Sequence, residues 1–160
     1  MILPNGAAIE IVRLSSARVD GLFAMLSQVA GLDAGGHFSP HGFTRTHLQS
    51  LCDVGLTDLY YVMTAGESVV GYGLLRGWDE GFATPSLGVA IHPDARRGGY
   101  GLTMMGFLHC AARARGAQRV RLRVNADNAS AIALYEQLGY QFEAADNGAP
   151  LLVAYKQLKK

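Results

Sequence analysis

A glycine-rich turn in the second half of the chain, Arg96 to Gly101 (Arg-Arg-Gly-Gly-Tyr-Gly), limits the possible folds most sharply. An apolar run at 87–93 precedes the turn, and a segment with helical spacing at 102–115 follows it. A strand, a glycine turn and a helix in this order form an anion site, because N–H groups at a helix N-terminus are unpaired and carry partial positive charge. Glycines let a phosphate approach the backbone, and arginines add fixed charge. The turn therefore predicts a site for a phosphorylated small molecule.

Two common nucleotide motifs do not fit this turn. A P-loop ends in Lys-Ser or Lys-Thr, where this chain has Leu102-Thr103. A dinucleotide fingerprint that begins at Gly99 and Gly101 needs a third glycine where Met104 stands. The alternation of strands and helices is also too short for a doubly wound sheet. The phosphate ligand therefore belongs to another class.

The spacing Arg-x-x-Gly-x-Gly, on Arg96, Gly99 and Gly101, resembles the acyl-CoA pyrophosphate loop of the GNAT superfamily of N-acetyltransferases. The segment 125–140 is similar to that family's downstream signature, in which a helix carries a tyrosine and ends in Leu-Gly-aromatic. The first pattern alone is weak, and the pair at this separation is fairly specific. The resemblance covers Val69 to about Glu143 and is poor over the first 60 residues. It implies acetyl-CoA as co-substrate.

The resemblance also implies which residues hold the cofactor and which one donates a proton. In the family the substrate amine attacks the thioester directly, and the departing CoA thiolate accepts a proton. Tyr135 matches the position of the general acid, and a phenol with a pKa near 10 stays protonated at neutral pH. A plain core tyrosine is the alternative. Asn128 matches a position that holds the pantetheine arm and is also a plausible helix N-cap. The implied cofactor-binding residues are Val89, Ala90, Ile91, Arg96, Arg97, Gly98, Gly99, Tyr100, Gly101, Leu102, Asn128 and Tyr135.

The general base is where this chain departs from many members of the family. They carry a glutamate on the central strand or the next one, and the matching positions here are Ser86 and Arg123, neither of which is a base. Glu80 and His41 are candidate bases, and deprotonation through ordered water needs no named base. A solvated surface acid is the alternative for Glu80 and its neighbour Asp79. The candidate residues for binding the acceptor are His37, Trp78, Asp79 and Ser86.

Hydrophobic periodicity predicts the order β-α-α-β-β-β-α-β-α-β-β. Together with the resemblance, this order predicts a mixed α/β (α+β) fold. We expect a mostly antiparallel sheet of about seven strands, about four helices on both faces, and a V-shaped splay between the central strands. The predicted helices cover 16–30, 44–52, 102–115 and 129–138, and the predicted strands cover 9–14, 59–64, 68–75, 87–93, 118–124, 141–143 and 151–155.

Length and composition predict a single domain over residues 1–160, and the resemblance implies that it is an acyl-CoA N-acyltransferase domain. A net charge of +1 gives no sign of a nucleic-acid or membrane partner. No secretory signal or membrane span is visible, so the expected location is the cytoplasm. Charged residues are only 17% of the chain, which favours a homodimer. Cys52 and Cys110 have no metal-ligand spacing, no metal is expected, and Cys110 is predicted to be a core residue.

The resemblance predicts transfer of an acetyl group from acetyl-CoA to a primary amine of a small molecule, with an amino sugar or an amino-acid-like metabolite as the acceptor class. Two alternatives remain at this point. A protein N-terminal or lysine acetyltransferase would need an open groove for a peptide. A non-catalytic acyl-CoA-binding sensor would explain the missing glutamate.

Overall fold

The computed structural model describes residue 6 and residues 8–32, 43–144 and 150–158. Within these ranges seven strands form one sheet with four α-helices, as the sequence predicts. The strands, in chain order, are β1 (Ile9–Arg13), β2 (Leu59–Ala65), β3 (Ser68–Arg76), β4 (Ser86–Ile91), β5 (Arg119–Asn125), β6 (Gln141–Ala144) and β7 (Leu151–Gln157). The helices are α1 (Val19–Leu32), α2 (Arg45–Ser50), α3 (Tyr100–Ala114) and α4 (Ala129–Gln137).

The sheet has the order β1-β2-β3-β4-β5-β7-β6. All neighbouring strands are antiparallel except β4 and β5, which are parallel. These two strands share one register pair, in which Ser86, the first residue of β4, faces Arg121, the third residue of β5. The Arg121 N–H donates to the Pro85 carbonyl at 3.0 Å. Beyond that point they diverge. The predicted V-shaped splay between the central strands is therefore confirmed.

Two apolar cores cover opposite faces of the sheet. Leu22 and Leu26 of α1 and Leu48 of α2 pack with Tyr72 and Ala90 on one face. The core on the other face contains Met104, Met105 and Leu108 of α3, with Tyr135 and Leu138 of α4 at its margin. These residues pack against strand residues that include Leu75, Leu87 and Leu122. We call the first core the α1-side core and the second the α3-side core. The alternation of side chains along the strands thus places Leu87 of β4 in the α3-side core and Ala90 of β4 in the α1-side core. This arrangement leaves a gap through the sheet where β4 and β5 separate.

Three local features differ from the sequence prediction. A 3-10 turn at Ser16–Arg18 replaces the expected start of α1, and α3 begins two residues earlier than predicted, at Tyr100. The prediction that Cys110 lies in the core is wrong, because it is exposed. The buried positions of α3 are Met104, Met105, Leu108 and Ala112. Cys110 stands two residues from each of the last two, roughly 200° around the helix. None of the helices within the described ranges is both long and apolar enough to cross a membrane.

Candidate active site

A cleft of about 640 Å³ occupies the gap between the diverging strands. Its walls are β4, the end of β5, the turn before α3, the first residues of α3 and one face of α4. Val29 of α1 lines it from the opposite face of the sheet. The cleft therefore joins the glycine-rich turn, the central strand and the downstream helix, which are three segments that the sequence singled out separately.

One wall of the cleft is an open strand edge. On its other side β4 is paired with β3 over its whole length, from Ser86 to Ile91. Its pairing with β5 stops after Ser86, so the later backbone groups that face the gap have no strand partner among the described residues. Such an edge can bind an extended chain that carries amide groups, in the manner of an added strand. Val89, Ala90 and Ile91 all line this part of the cleft.

The glycine turn has the backbone geometry of an anion site. Gly99 is the N-cap of α3, and its φ of 80° lies in the left-handed region that favours glycine. Arg97 also has a positive φ, 67°, which is unusual for a side chain of this size. The first N–H groups of α3 have no acceptor within the helix, and turns with left-handed residues aim successive N–H groups at a common anion. Arg96, Arg97, Gly99, Gly101 and Leu102 line the cleft.

Two residues of this segment, Gly98 and Tyr100, do not line the cleft. A Cβ atom on Gly98 would lie 2.9 Å from the Tyr100 ring, so glycine at this position permits close contact between the turn and that ring. Tyr100 itself packs against the core on the α3 face. The structure therefore places Gly98 and Tyr100 outside the cleft lining, where their close contact supports the turn.

Helix α4 directs Tyr135 and Asn128 into the same cleft. Burial raises the pKa of the Tyr135 phenol above its usual value of 10, since a low-dielectric site disfavours phenolate. Among the described residues none forms a hydrogen bond with the Tyr135 hydroxyl, so it is available to a ligand. Asn128 caps α4, and its Oδ1 accepts from the Ala131 N–H at 3.3 Å. Its capping role is thus in place, and its side chain also faces the cleft.

Four of the residues that the sequence analysis assigned to the acceptor side lie outside the cleft wall. Asp79 accepts hydrogen bonds from the N–H and hydroxyl of Thr57 and from the Asp58 N–H, and the Thr57 bonds hold its pKa below the usual range. The Trp78 ring packs against the α3-side core with the Arg115 guanidinium 5.6 Å from its centre. Glu80 is exposed, 3.9 Å from Arg76, and Ser86 accepts from Arg121 at 3.4 Å. None of these four side chains is part of the cleft wall formed by the described residues. His37 and His41 lie outside the described residues.

Arg123 lines the cleft, although the sequence analysis does not include it among the candidate site residues. It was recognised only as a position without a base. The alternation of β5 could have placed it, because Val120, Leu122 and Val124 are buried in the α3-side core and Arg123 must therefore point to the other face. No group of three or more His, Cys, Asp or Glu side chains within the described ranges could hold a metal ion.

A histidine behind Tyr135 makes the fold sensitive to acid. The His109 Nε2 atom lies 2.7 Å from the Tyr140 hydroxyl, and the Tyr140 ring contacts that of Tyr135. Burial, followed by the charges of Lys156 and Arg113, lowers the pKa of His109 to about 4. As the pH falls from about 6.5 to about 4, His109 becomes protonated in the unfolded chain but stays neutral in the folded chain.

We therefore expect His109 to lower the free energy of unfolding by about 1 to 2 kcal/mol across this window, an amount reduced for its partial exposure. His109→Gln keeps a partner for Tyr140 and does not titrate, so its stability should depend less on pH. Urea denaturation of both proteins between pH 4 and pH 8 measures the difference. Parallel pH profiles would contradict the assignment.

Comparison with known proteins gives consistent results. A mycothiol acetyltransferase from Streptomyces scabiei is 36% identical over 87 residues, which are 51% of this chain and 26% of that protein, so the match spans about a quarter of the relative's length. The PaiA N-acetyltransferase from Thermoplasma acidophilum, solved with coenzyme A, has a TM-score of 0.80 at 17% identity and covers 94% of this chain and 99% of its own. The ribosomal-protein-S18-alanine N-acetyltransferase from Escherichia coli has a TM-score of 0.73 at 18% identity and covers 96% of each chain.

At these identities the solved structures establish the shared fold, and the family follows from the sequence. Residues 29–140, which are more than half of the chain, match the model of the acetyltransferase (GNAT) family. The glycine turn and the helix that carries Tyr135 both lie inside this range. This protein therefore belongs to the GNAT family of acetyltransferases.

Proposed function

We propose that this protein transfers the acetyl group of acetyl-CoA to a primary amine of a small molecule. The observation that carries the proposal is the meeting of three features in one cleft: the N–H groups of the glycine turn, the open edge of β4 and the hydroxyl of Tyr135. Together they suit the successive parts of an acyl-CoA thioester, which are the pyrophosphate, the amide-containing pantetheine arm and the sulfur. The similarity to mycothiol acetyltransferases, whose name refers to a small molecule, supports the acceptor class.

The cofactor-side residues divide the binding work. The turn at Arg96 to Gly101 binds the pyrophosphate through backbone N–H groups and guanidinium charge. The backbone of Val89 to Ile91 pairs with the pantetheine amides, and Asn128 flanks this arm. The carbonyl of the thioester then lies in the widening part of the V, accessible from the α1 face, from which the amine approaches.

The reaction requires one bond to form and one to break. The neutral amine attacks the thioester carbonyl, the C–N bond forms, and collapse of the tetrahedral adduct breaks the C–S bond. Tyr135 gives its proton to the departing thiolate, and the proton that the attacking nitrogen loses passes to water and restores the phenol. These reaction steps need no basic side chain from the described residues.

Calorimetric titration with acetyl-CoA is the first test, with NAD and ATP as controls. We expect micromolar binding of acetyl-CoA alone, followed by release of CoA thiol with a suitable amine. Absence of acetyl-CoA binding would contradict the proposal. Tight binding without turnover of any amine would favour a non-catalytic acyl-CoA sensor instead.

Arg97 offers a paired prediction, because its charge and its backbone conformation can be separated. Arg97→Ala and Arg97→Gly both remove the guanidinium, and each should weaken acetyl-CoA binding by roughly tenfold. Glycine tolerates the φ of 67° and alanine does not, so the free energy of unfolding should be about 1 kcal/mol higher for Arg97→Gly than for Arg97→Ala. Calorimetry and urea denaturation measure the two effects. Equal stability of the variants would show that the left-handed conformation is not maintained.

A further inference from the structure

Three arginines lie in a row along β5, on the face of the sheet opposite α3. Arg119, Arg121 and Arg123 alternate with Val120, Leu122 and Val124, which are buried in the α3-side core. The arginine side chains therefore project from the other face of the sheet. On that face α1 and α2 pack against β2 and β3. The row leads along the strand toward the cleft.

The first two arginines of this row already have partners. The Arg119 Nε atom donates to the Thr84 hydroxyl at 3.2 Å, and its guanidinium lies 4.8 Å from the centre of the Tyr155 ring. The Arg121 Nη1 atom donates to the Ser86 hydroxyl at 3.4 Å. Both guanidinium groups thus have a hydrogen-bond partner within the fold.

Arg123 differs from both of them. It is exposed, it lines the cleft, and it forms no ion pair or hydrogen bond with any described residue. The nearest acid in the sheet register is Glu143 on β6, which stands across from Arg123 with Val153 of β7 between them. These two side chains are not within ion-pair distance of each other. Arg123 is thus a cation that faces a ligand cleft without an anion from the described chain.

The position of Arg123 separates it from the cofactor phosphates. The glycine turn leads into α3, which packs on one face of the sheet, while Arg123 projects from the other face. Val29 of α1 and Ala90, which packs in the α1-side core, also line the cleft from that second face. The cleft passes through the sheet, and Arg123 lies at the mouth through which the amine approaches.

We propose that Arg123 binds an anionic group, a carboxylate or a phosphate, on the acceptor amine, so that the preferred substrates are amino acids or amino phosphates. This inference rests on the proposed function and narrows its substrate class. A guanidinium presents a planar fork that matches either anion. The same charge repels a second ammonium group on the acceptor. Diamines and polyamines should be poor acceptors.

Matched pairs of amines test the charge preference directly. β-Alanine is compared with β-alaninamide, and phosphoethanolamine with ethanolamine, with putrescine as a cationic probe; release of CoA thiol reports the rate. We expect the anionic member of at least one pair to have a kcat/KM about ten- to hundredfold higher than its neutral partner. The pair that shows the preference also identifies carboxylate or phosphate as the group.

Variants of Arg123 assign the preference to that side chain. Arg123→Gln should remove most of the preference by raising KM for the anionic amine, while the neutral partner and the KM for acetyl-CoA stay within about twofold. Arg123→Glu should reverse the order toward putrescine. Arg119→Gln is the matched control, because it removes the same charge from the same row and should leave the preference intact.

Each remaining outcome overturns the inference and bears separately on the proposed function. Turnover without a preference for the anionic amine, or a preference that survives in Arg123→Gln, would leave the acetyltransferase activity in place. It would show that Arg123 does not select the acceptor. A rise in KM for acetyl-CoA with unchanged acceptor preference would assign Arg123 to the cofactor. Acetyl-CoA binding without turnover of any amine in the panel also overturns the inference, whereas failure of acetyl-CoA to bind overturns the proposed function itself.

Discussion

Tyr135→Phe is expected to lower kcat for acetyl transfer by roughly 10²- to 10³-fold, the range typical of losing a positioned general acid. The substitution removes one oxygen from a side chain that packs against the α3-side core and lines the cleft. Because the ring and its packing remain, the affinity for acetyl-CoA should change little. Steady-state kinetics with a good acceptor, combined with calorimetry, separate the two effects.

The pH dependence of the Tyr135→Phe defect gives a readout that a purely structural role would not produce. Burial raises the pKa of this phenol, so it remains a proton donor across the whole range from pH 6 to about pH 10. A free thiol has a pKa of about 8.5, and above that pH the thiolate leaves without needing a proton. The difference in kcat between the two proteins should therefore narrow as the pH rises.

Tyr140→Phe is the matched control for this experiment. Tyr140 contacts the Tyr135 ring from behind and hydrogen-bonds with His109, but it does not line the cleft. Its loss should cost stability of about 1 kcal/mol and leave kcat within about twofold. A Tyr135→Phe enzyme with normal kcat, or a Tyr140→Phe enzyme with the larger defect, would contradict the assignment of Tyr135 as general acid.

The glycine turn and the helix that carries Tyr135 could be predicted from the sequence because their signals are local. The glycines and arginines of the turn, and the N-cap and tyrosine of α4, lie within short segments whose spacing alone indicates helix starts and free N–H groups. The structure adds how these segments meet. Divergence of β4 from β5 after Ser86 opens the gap, and that divergence is a property of two strands separated by a whole helix in the sequence.

The acceptor side could not be predicted in the same way. Asp79 and Trp78 stand out in the sequence as a polar and an aromatic residue in a loop, which is also what a binding loop contains. Their partners, Asp58 and Arg115, are distant along the chain and become neighbours only in the folded sheet. Arg123 shows the opposite case, since a strand position noted in the sequence only for lacking a base lines the cleft and has no ion-pair or hydrogen-bond partner among the described residues.

The loop between β3 and β4 carries the largest expected effect on stability. Asp58 is buried, and its Oδ1 atom accepts hydrogen bonds from the N–H groups of Gly77, Trp78 and Asp79 at 2.9, 2.8 and 3.2 Å. Asp79 in turn accepts from the N–H groups of Thr57 and Asp58. The two carboxylates thus bind each other's loops reciprocally and hold the connection between β3 and β4 against the start of β2.

We expect Asp58→Ala to lower the free energy of unfolding by about 3 to 5 kcal/mol, because it leaves three N–H groups without their acceptor in a largely buried site. Asp58→Asn keeps an acceptor oxygen of the same shape and loses only the charge, so its cost should be about 1 to 2 kcal/mol. Urea denaturation of the three proteins at neutral pH measures both values. Equal losses in the two variants would show that the negative charge, and not the geometry of the shared acceptor, stabilises this loop.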